Sequence, residues 1–169
     1  IGSGSTWYRS GSTWNGSGST YISSWFPSKA LNPSWYPSIP SWSTKENYFD
    51  DYEKQVLLPH KLSQLGPALS KGDVNGDGLE DLFVGVASGQ NASIYVQLED
   101  QTFIESQNEI FQRHRSLEDV DAVFFDSDND GDQDLYVVTG GNEFAPNSSA
   151  YLDRLYINDG NGNFKFERA

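Results

Sequence analysis

The sequence predicts an all-β fold: two propeller-type blades of about four antiparallel strands each, every blade carrying an acidic loop, preceded by an extended Gly/Ser/Thr/Trp-rich arm. Three observations carry this expectation. A nine-residue acidic pattern occurs twice, 53 residues apart, each time before a β-branched run. A strand–turn–strand pattern follows each copy. The first 45 residues also differ in kind from the remaining 124.

The arm comes first. All five tryptophans (Trp7, Trp14, Trp25, Trp35, Trp42) precede Glu46, and none of the 24 acidic residues does. Residues 1–45 carry +3 and residues 46–169 carry −16, for a net charge of −13. Gly4-Ser5-Thr6-Trp7 recurs as Gly11-Ser12-Thr13-Trp14 and as Gly18-Ser19-Thr20-Tyr21, a period of seven; Ser24-Trp25-Phe26-Pro27-Ser28 is echoed by Ser34-Trp35-Tyr36-Pro37-Ser38. This heptad is no coiled coil, because Gly, Ser and Thr form helix poorly and only one apolar position recurs per repeat. An extended ribbon is expected, with Pro27, Pro33, Pro37 and Pro40 opposing helix. A plain Gly/Ser linker is the competing reading, but a bulky ring in every repeat argues for docking on another surface. Forty-five extended residues reach on the order of 150 Å, whereas a domain of 124 residues has a radius of gyration of about 14 Å. The arm can therefore reach a neighbouring molecule. The chain begins at Ile1 without a signal-like segment, which points to a processed or partial product.

In residues 46–169, two copies of one unit are expected, at 68–104 and 122–166. Pro67-Ala68-Leu69 leads into the first acidic loop and Val120 to Phe125 into the second. Leu82-Phe83-Val84-Gly85-Val86 and Leu135-Tyr136-Val137-Val138 read as the strands that follow. Ile94-Tyr95-Val96-Gln97 then turns into Phe103, and Leu155-Tyr156-Ile157-Asn158 turns through Asp159-Gly160-Asn161-Gly162 into Phe164; Asp-Gly and Asn-Gly are strong turn signals. The loops lie 53 residues apart and the hairpins 61, so the second copy carries eight extra residues, most simply within Gly140 to Leu152.

The loops follow D-x-[DN]-x-D-G-x-x-D: Asp73, Asn75, Asp77, Gly78, Asp81, then Asp126, Asp128, Asp130, Gly131, Asp134. So many like charges in nine residues are costly unless a cation sits among them. An all-oxygen donor set suits a hard ion, and calcium (Ca2+) best, since it accepts six to eight oxygens; magnesium prefers few protein ligands and retained waters. The expected ligands are the side chains of Asp73, Asn75, Asp77 and Asp81 with the Leu79 carbonyl, and those of Asp126, Asp128, Asp130 and Asp134 with the Asp132 carbonyl. The Glu80 and Asp132 side chains are expected to face solvent. An EF-hand shares the first half of this pattern but requires Glu at position twelve and flanking helices. Val84 and Val137 stand there, inside strand-like runs.

At these residues the chain resembles the FG-GAP/VCBS repeat family, whose blades build α-integrin-type β-propellers and many secreted bacterial proteins. Leu57 to Ser63, Gly72 to Leu82, Phe124 to Tyr136 and Gly140-Gly141-Asn142-Glu143-Phe144 look most like the secreted bacterial branch. The resemblance covers residues 46–169, supports the same ligands and implies calcium-dependent structure or adhesion outside the cell. It does not extend to the aromatic heptads. A closed propeller needs four to eight blades, so two blades leave open faces: either the chain is a fragment, or another copy covers those faces, and of the two a filament-like homo-oligomer is the favoured expectation.

Other chemistry is thinly represented. The acidic balance excludes a basic nucleic-acid face. Cysteine is absent, and no apolar run is long enough to span a membrane. No Gly-x-Ser-x-Gly elbow, phosphate loop or His-Glu-x-x-His motif occurs. A glycosidase would need free carboxylates at useful spacing, and the metal loops claim those. His60 reads as part of a structural turn, and His114, between Arg113 and Arg115, as solvent-facing. Asn15, Asn91 and Asn147 each open an Asn-x-Ser sequon, so glycans are candidate modifications. The expected function is non-catalytic, calcium-bound extracellular structure, self-assembling through residues 1–45 and the open blade faces. A calcium-dependent carbohydrate-binding or adhesion module is the alternative, since exposed Trp and Tyr rings stack on sugars.

Overall fold

The structure, a computed structural model, describes residues 19–20, 44–63, 65–106 and 108–168. The five tryptophans and Asn15 lie outside the described residues. Two short strands, β1 (Ser19–Thr20) and β2 (Thr44–Lys45), pair antiparallel. Helix α1 (Asp51–Lys54) is a single turn capped by Asp50, whose side chain accepts from the Tyr52 amide.

Two four-stranded antiparallel sheets follow, as the duplicated pattern predicts. The first blade runs β3 (Leu69–Gly72), β4 (Asp81–Val84), β5 (Ser93–Gln97) and β6 (Phe103–Ser106), in that spatial order. Helix α2 (Glu109–Arg113) leads into the second blade: β7 (Asp119–Phe125), β8 (Asp134–Thr139), β9 (Arg154–Asn158) and β10 (Phe164–Glu167), again in sequence order. The registers coincide. Leu82 stands opposite Tyr95 in the first blade, and Leu135 opposite Tyr156 in the second. The eight extra residues fall between β8 and β9, where a 3-10 turn at Ser149–Tyr151 lets the Tyr151 hydroxyl clip the Phe144 backbone amide and carbonyl at 2.8 and 2.9 Å.

Strand alternation sorts each blade into two faces. Phe83, Ile94 and Val96 form what we term the forward face of the first blade; Leu82, Val84 and Tyr95 form its rear face. The core lies between the blades: Phe83 and Ile94 from the first are buried with Leu135, Val137, Tyr156 and Phe164 from the second. Those four occupy the positions of Leu82, Val84, Tyr95 and Phe103, so the forward face of one blade packs on the rear face of the next. Phe111 of α2 fills the junction, edge-on to Tyr156 at 5.2 Å and tilted to Phe83 at 5.7 Å.

One ion pair is sealed beside this core. Arg154 meets Asp119 with both side chains almost fully buried. The second Asp119 oxygen accepts from the Val86 amide at 3.0 Å, and Arg154 Nε donates to Thr139 Oγ1 at 3.2 Å. Such a pair is tolerable because its remaining donors and acceptors are also engaged. His114 departs from the solvent-facing expectation. The turn after α2 brings it under the second blade, with Nδ1 2.8 Å from the Tyr156 hydroxyl and its ring edge-on to Phe166 at 4.7 Å. His60 sits exposed in a bend.

The composition boundary after Lys45 is not a boundary in hydrogen bonding. Thr44 is buried, and its hydroxyl accepts from the Ala87 amide and from Gln90 Nε2, both at 3.2 Å. Further along, the buried Asp51 accepts from the Ser63 amide and hydroxyl and from Asn142 Nδ2, tying the 51–63 segment to the second blade. Among the described residues no helix is long and apolar enough to cross a membrane.

Candidate metal centre

Each acidic loop links the first two strands of its blade, and the two are built alike. Asp73 Oδ1 accepts from the Gly76 amide at 2.7 Å and Oδ2 from the Gly78 amide at 2.8 Å. In the second loop Asp126 Oδ1 accepts from the Asn129 amide at 2.6 Å and Oδ2 from the Gly131 amide at 3.2 Å. The third and fifth positions each accept from the amide two residues on: Asn75 from Asp77 and Asp77 from Leu79, matched by Asp128 from Asp130 and Asp130 from Asp132. These Asx turns curl the backbone around the odd-numbered side chains.

The curl needs left-handed backbone at two points per loop. Gly78 (φ +85) and Gly131 (φ +99) were legible from the pattern. The other point is Gly76 (φ +73), whose counterpart is Asn129 (φ +65). Asn tolerates that conformation better than other non-glycine residues, and this was the signal available in the sequence.

In the second loop, carboxylate oxygens of Asp126, Asp128 and Asp130 lie within 4.8 Å of one another, all on exposed residues. The first loop has Asn75 in the place of Asp128, flanked by Asp73 and Asp77, and Asn75 Nδ2 donates to Asp77 Oδ2 at 2.9 Å. The ninth-position aspartates are placed differently. Asp81 and Asp134 are fully buried, each bracketing its blade. Asp81 Oδ2 accepts from the Val74 amide at 2.9 Å and Oδ1 from the Gln97 amide at 2.8 Å. Asp134 Oδ2 accepts from the Ser127 amide and hydroxyl, and Oδ1 from the Asn158 amide at 2.8 Å. Burial raises the pKa of Asp81, with Asp77 and Asp73 adding to the rise.

Asp132 corrects one expectation. Its side chain is half-buried beside Gly160 of the β9–β10 hairpin, with Oδ1 buried and unpartnered. Burial, then the neighbouring Asp130, pushes its pKa up to about 6. Glu80, by contrast, is exposed as expected, paired with Lys71. The Leu79 residue is half-buried, its amide bonded to Asp77 Oδ1 at 2.8 Å.

A residue that sequence reasoning missed joins the two loops. Asn158 Nδ2 donates to the Val74 carbonyl in the first loop at 2.8 Å and to the Gln133 carbonyl in the second at 3.1 Å. Residues 73–137, a stretch that takes in both loops, match the family description of an FG-GAP-like repeat. Over that stretch the chain is similar to an FG-GAP-like repeat. The match begins at Asp73, the first acidic residue of the first loop, and ends at Val137 within β8. No curated protein and no solved structure matches the chain.

The donor set of the two acidic loops fits a hard divalent cation. Every candidate side-chain donor is an oxygen, the exposed carboxylates of the second loop converge, and Asp132 keeps a buried oxygen without a partner. Carboxylate oxygens that already accept one amide retain a second lone pair for an ion.

A separate group of carboxylates has a different character. Glu118 is buried with Oε1 unpartnered, and Glu143 and Glu46 lie close enough to repel it. Burial, then Glu143, Glu46 and Asp119, pushes its pKa from 4.5 up to about 8. The folded chain thus holds a proton that the unfolded chain releases between these values. The stabilising contribution is complete below pH 4.5 and is lost as pH rises toward about 8. Glu118→Gln, which keeps the shape without the charge, is expected to flatten that decline and to raise the melting temperature at the alkaline end. Thermal melts at about pH 5 and about pH 8, at fixed calcium, check it; an unaltered pH slope in the variant would refute it.

Proposed function

We propose that this chain is a non-catalytic, extracellular structural protein whose blades are locked by two calcium ions, one per acidic loop. Asp73, Asn75, Asp77, Asp81 and the Leu79 carbonyl hold one ion; Asp126, Asp128, Asp130, Asp134 and the Asp132 carbonyl hold the other. The protein assembles with further copies into a filament or surface structure through residues 1–45 and the open blade faces. The observation that carries the metal reading is the duplicated hydrogen-bond pattern, which curls both loops around the same set of oxygens. FG-GAP-like repeats are typically non-catalytic and commonly extracellular, which supports the same reading. Asn91 and Asn147 are exposed, so both sequons are accessible to glycosylation.

Calorimetric titration of the metal-stripped chain tests the reading: two calcium ions per chain are expected, and one when Asp126 and Asp130 are both replaced by Ala. A stoichiometry of zero would overturn it. The second reading, a calcium-dependent carbohydrate-binding module, draws on the aromatic ring in each arm repeat. Tryptophan fluorescence that responds to polysaccharide only when calcium is present would favour it.

A further inference from the structure

Five carboxylates are buried among the described residues: Asp51, Asp81, Glu118, Asp119 and Asp134. Four of them have both oxygens engaged. Asp51 accepts from Leu62, Ser63 and Asn142, Asp81 and Asp134 bracket their blades, and Asp119 holds Arg154 and the Val86 amide. Glu118 is the exception. The Leu65 amide donates to its carboxylate, yet Oε1 is buried with no partner. Burying a charged acceptor without a donor is costly, so such an oxygen marks a place where a donor or a cation is expected.

The Glu118 carboxylate points at a second one. Over Gly141 (φ +95), the position a Cβ would take lies 2.4 Å from Glu143 Oε2 and 3.0 Å from Glu118 Oε2. Only glycine leaves that space open. The Asn142 amide, donating to Glu143 Oε2 at 2.8 Å, folds Glu143 back into it. Glu46 lies near enough to repel both. No base neutralises the group: Arg154 is engaged with Asp119, Thr139 and Tyr156, and among the described residues no ion pair reaches Glu46, Glu118 or Glu143. The three glutamates come from distant segments, after β2, ahead of β7, and in the insertion between β8 and β9. Leu65 and Gln90 stand 53 residues before Glu118 and Glu143, so the first blade has no counterpart.

We propose that Glu118 and Glu143 form a further divalent-cation site, separate from the acidic loops, with Glu118 Oε1 and the two Oε2 oxygens as its protein ligands and Glu46 as an added negative charge beside it. Calcium is the fitting ion. Every donor is an oxygen, and contacts of about 2.3–2.6 Å let one ion bridge two oxygens held so near one point. Calcium also accepts water in its remaining positions, and Glu46 and Glu143 are only half-buried, so water reaches that side. An ion there fastens the start of β7 to the insertion, which gives the extra residues of the second blade a duty of their own. The site goes beyond the loop reading and does not depend on it. With no ion present, burial and then Glu143 keep a proton on Glu118 up to about pH 8, and an incoming ion must displace it. Two carboxylates and a competing proton make this site weaker than the loops. It fills after them, at higher calcium, so a calcium concentration that just saturates the loops leaves Glu118 free to titrate.

Calorimetric titration of the metal-stripped full chain at about pH 8.5, carried on to millimolar calcium, tests this. One binding event beyond those of the loops is expected, weaker than theirs. Glu118→Gln and Glu143→Gln each keep the shape of a ligand and remove its charge. Each is expected to weaken the additional event on the order of a hundredfold while leaving the loop events unchanged. Replacing Asp126 and Asp130 together by Ala is expected to remove a loop event and retain this one, so failure of this site and failure of the loop reading are told apart. A titration with no event beyond the loops overturns the proposal. So does a weak event that persists in Glu118→Gln, which would assign the heat to diffuse attraction by the chain's net charge of −13. Circular dichroism melts verify folding, and Glu143→Gln decides the matter if Glu118→Gln fails to fold.

Discussion

Stripping calcium from the folded chain with EDTA is expected to lower its melting temperature by on the order of 15 °C. An ion that binds only the native state, at free concentration about 100 times its Kd, adds roughly 2.7 kcal/mol, and two sites double that. Typical domains have only about 5–15 kcal/mol in total, so the loss is a large fraction of stability. Without the ion, Asp126, Asp128 and Asp130 confront one another within 4.8 Å, and the loop amides alone offset their repulsion. Differential scanning calorimetry before and after chelation reads the effect, and restoring calcium should reverse it while equimolar magnesium should not. A melting curve indifferent to chelation would exclude a structural role for the loops.

Asp134→Ala is expected to destabilise the chain by about 3 kcal/mol even in chelator. The carboxylate is fully buried and accepts from the Ser127 amide and hydroxyl on one oxygen and the Asn158 amide on the other. Removing it leaves two backbone donors without a partner, each costing about 1–3 kcal/mol. Asp81→Ala, which orphans the Val74 and Gln97 amides, should behave in parallel. Denaturant unfolding with and without calcium distinguishes the two duties of these residues: the bracket persists in chelator, whereas any ligand contribution adds only when calcium is present. If Asp134→Ala matched the parent in chelator, the bracket would have no energetic weight.

The strands of the two blades were legible because local signals agree. Alternation and β-branched runs mark the same segments twice, Asp-Gly pairs mark both acidic loops and the β9–β10 turn, and the spacing difference of eight residues located the insertion between β8 and β9. What could not be read depends on residues distant in sequence. Asp132 looks like one more loop charge, and only the β9–β10 hairpin, arriving 28 residues later at Gly160, covers it. His114 lies between two arginines, yet the turn after α2 sets it against Tyr156. Thr44 belongs by composition to the arm and by hydrogen bonding to the first blade. Asp81 and Asp134 read as ligands like any others in the pattern. Their burial as brackets follows from the strands that close over them.

The amide of Asn158 grips one carbonyl from each acidic turn, so neither turn can relax without pulling on its twin. A shared strut of this kind makes separate sites behave as a single thermodynamic unit: whatever stiffens one lowers the ordering cost of the other. In the calorimetric titration the second ion should therefore bind more tightly than the first, and Asn158→Ala should return the two events to independence.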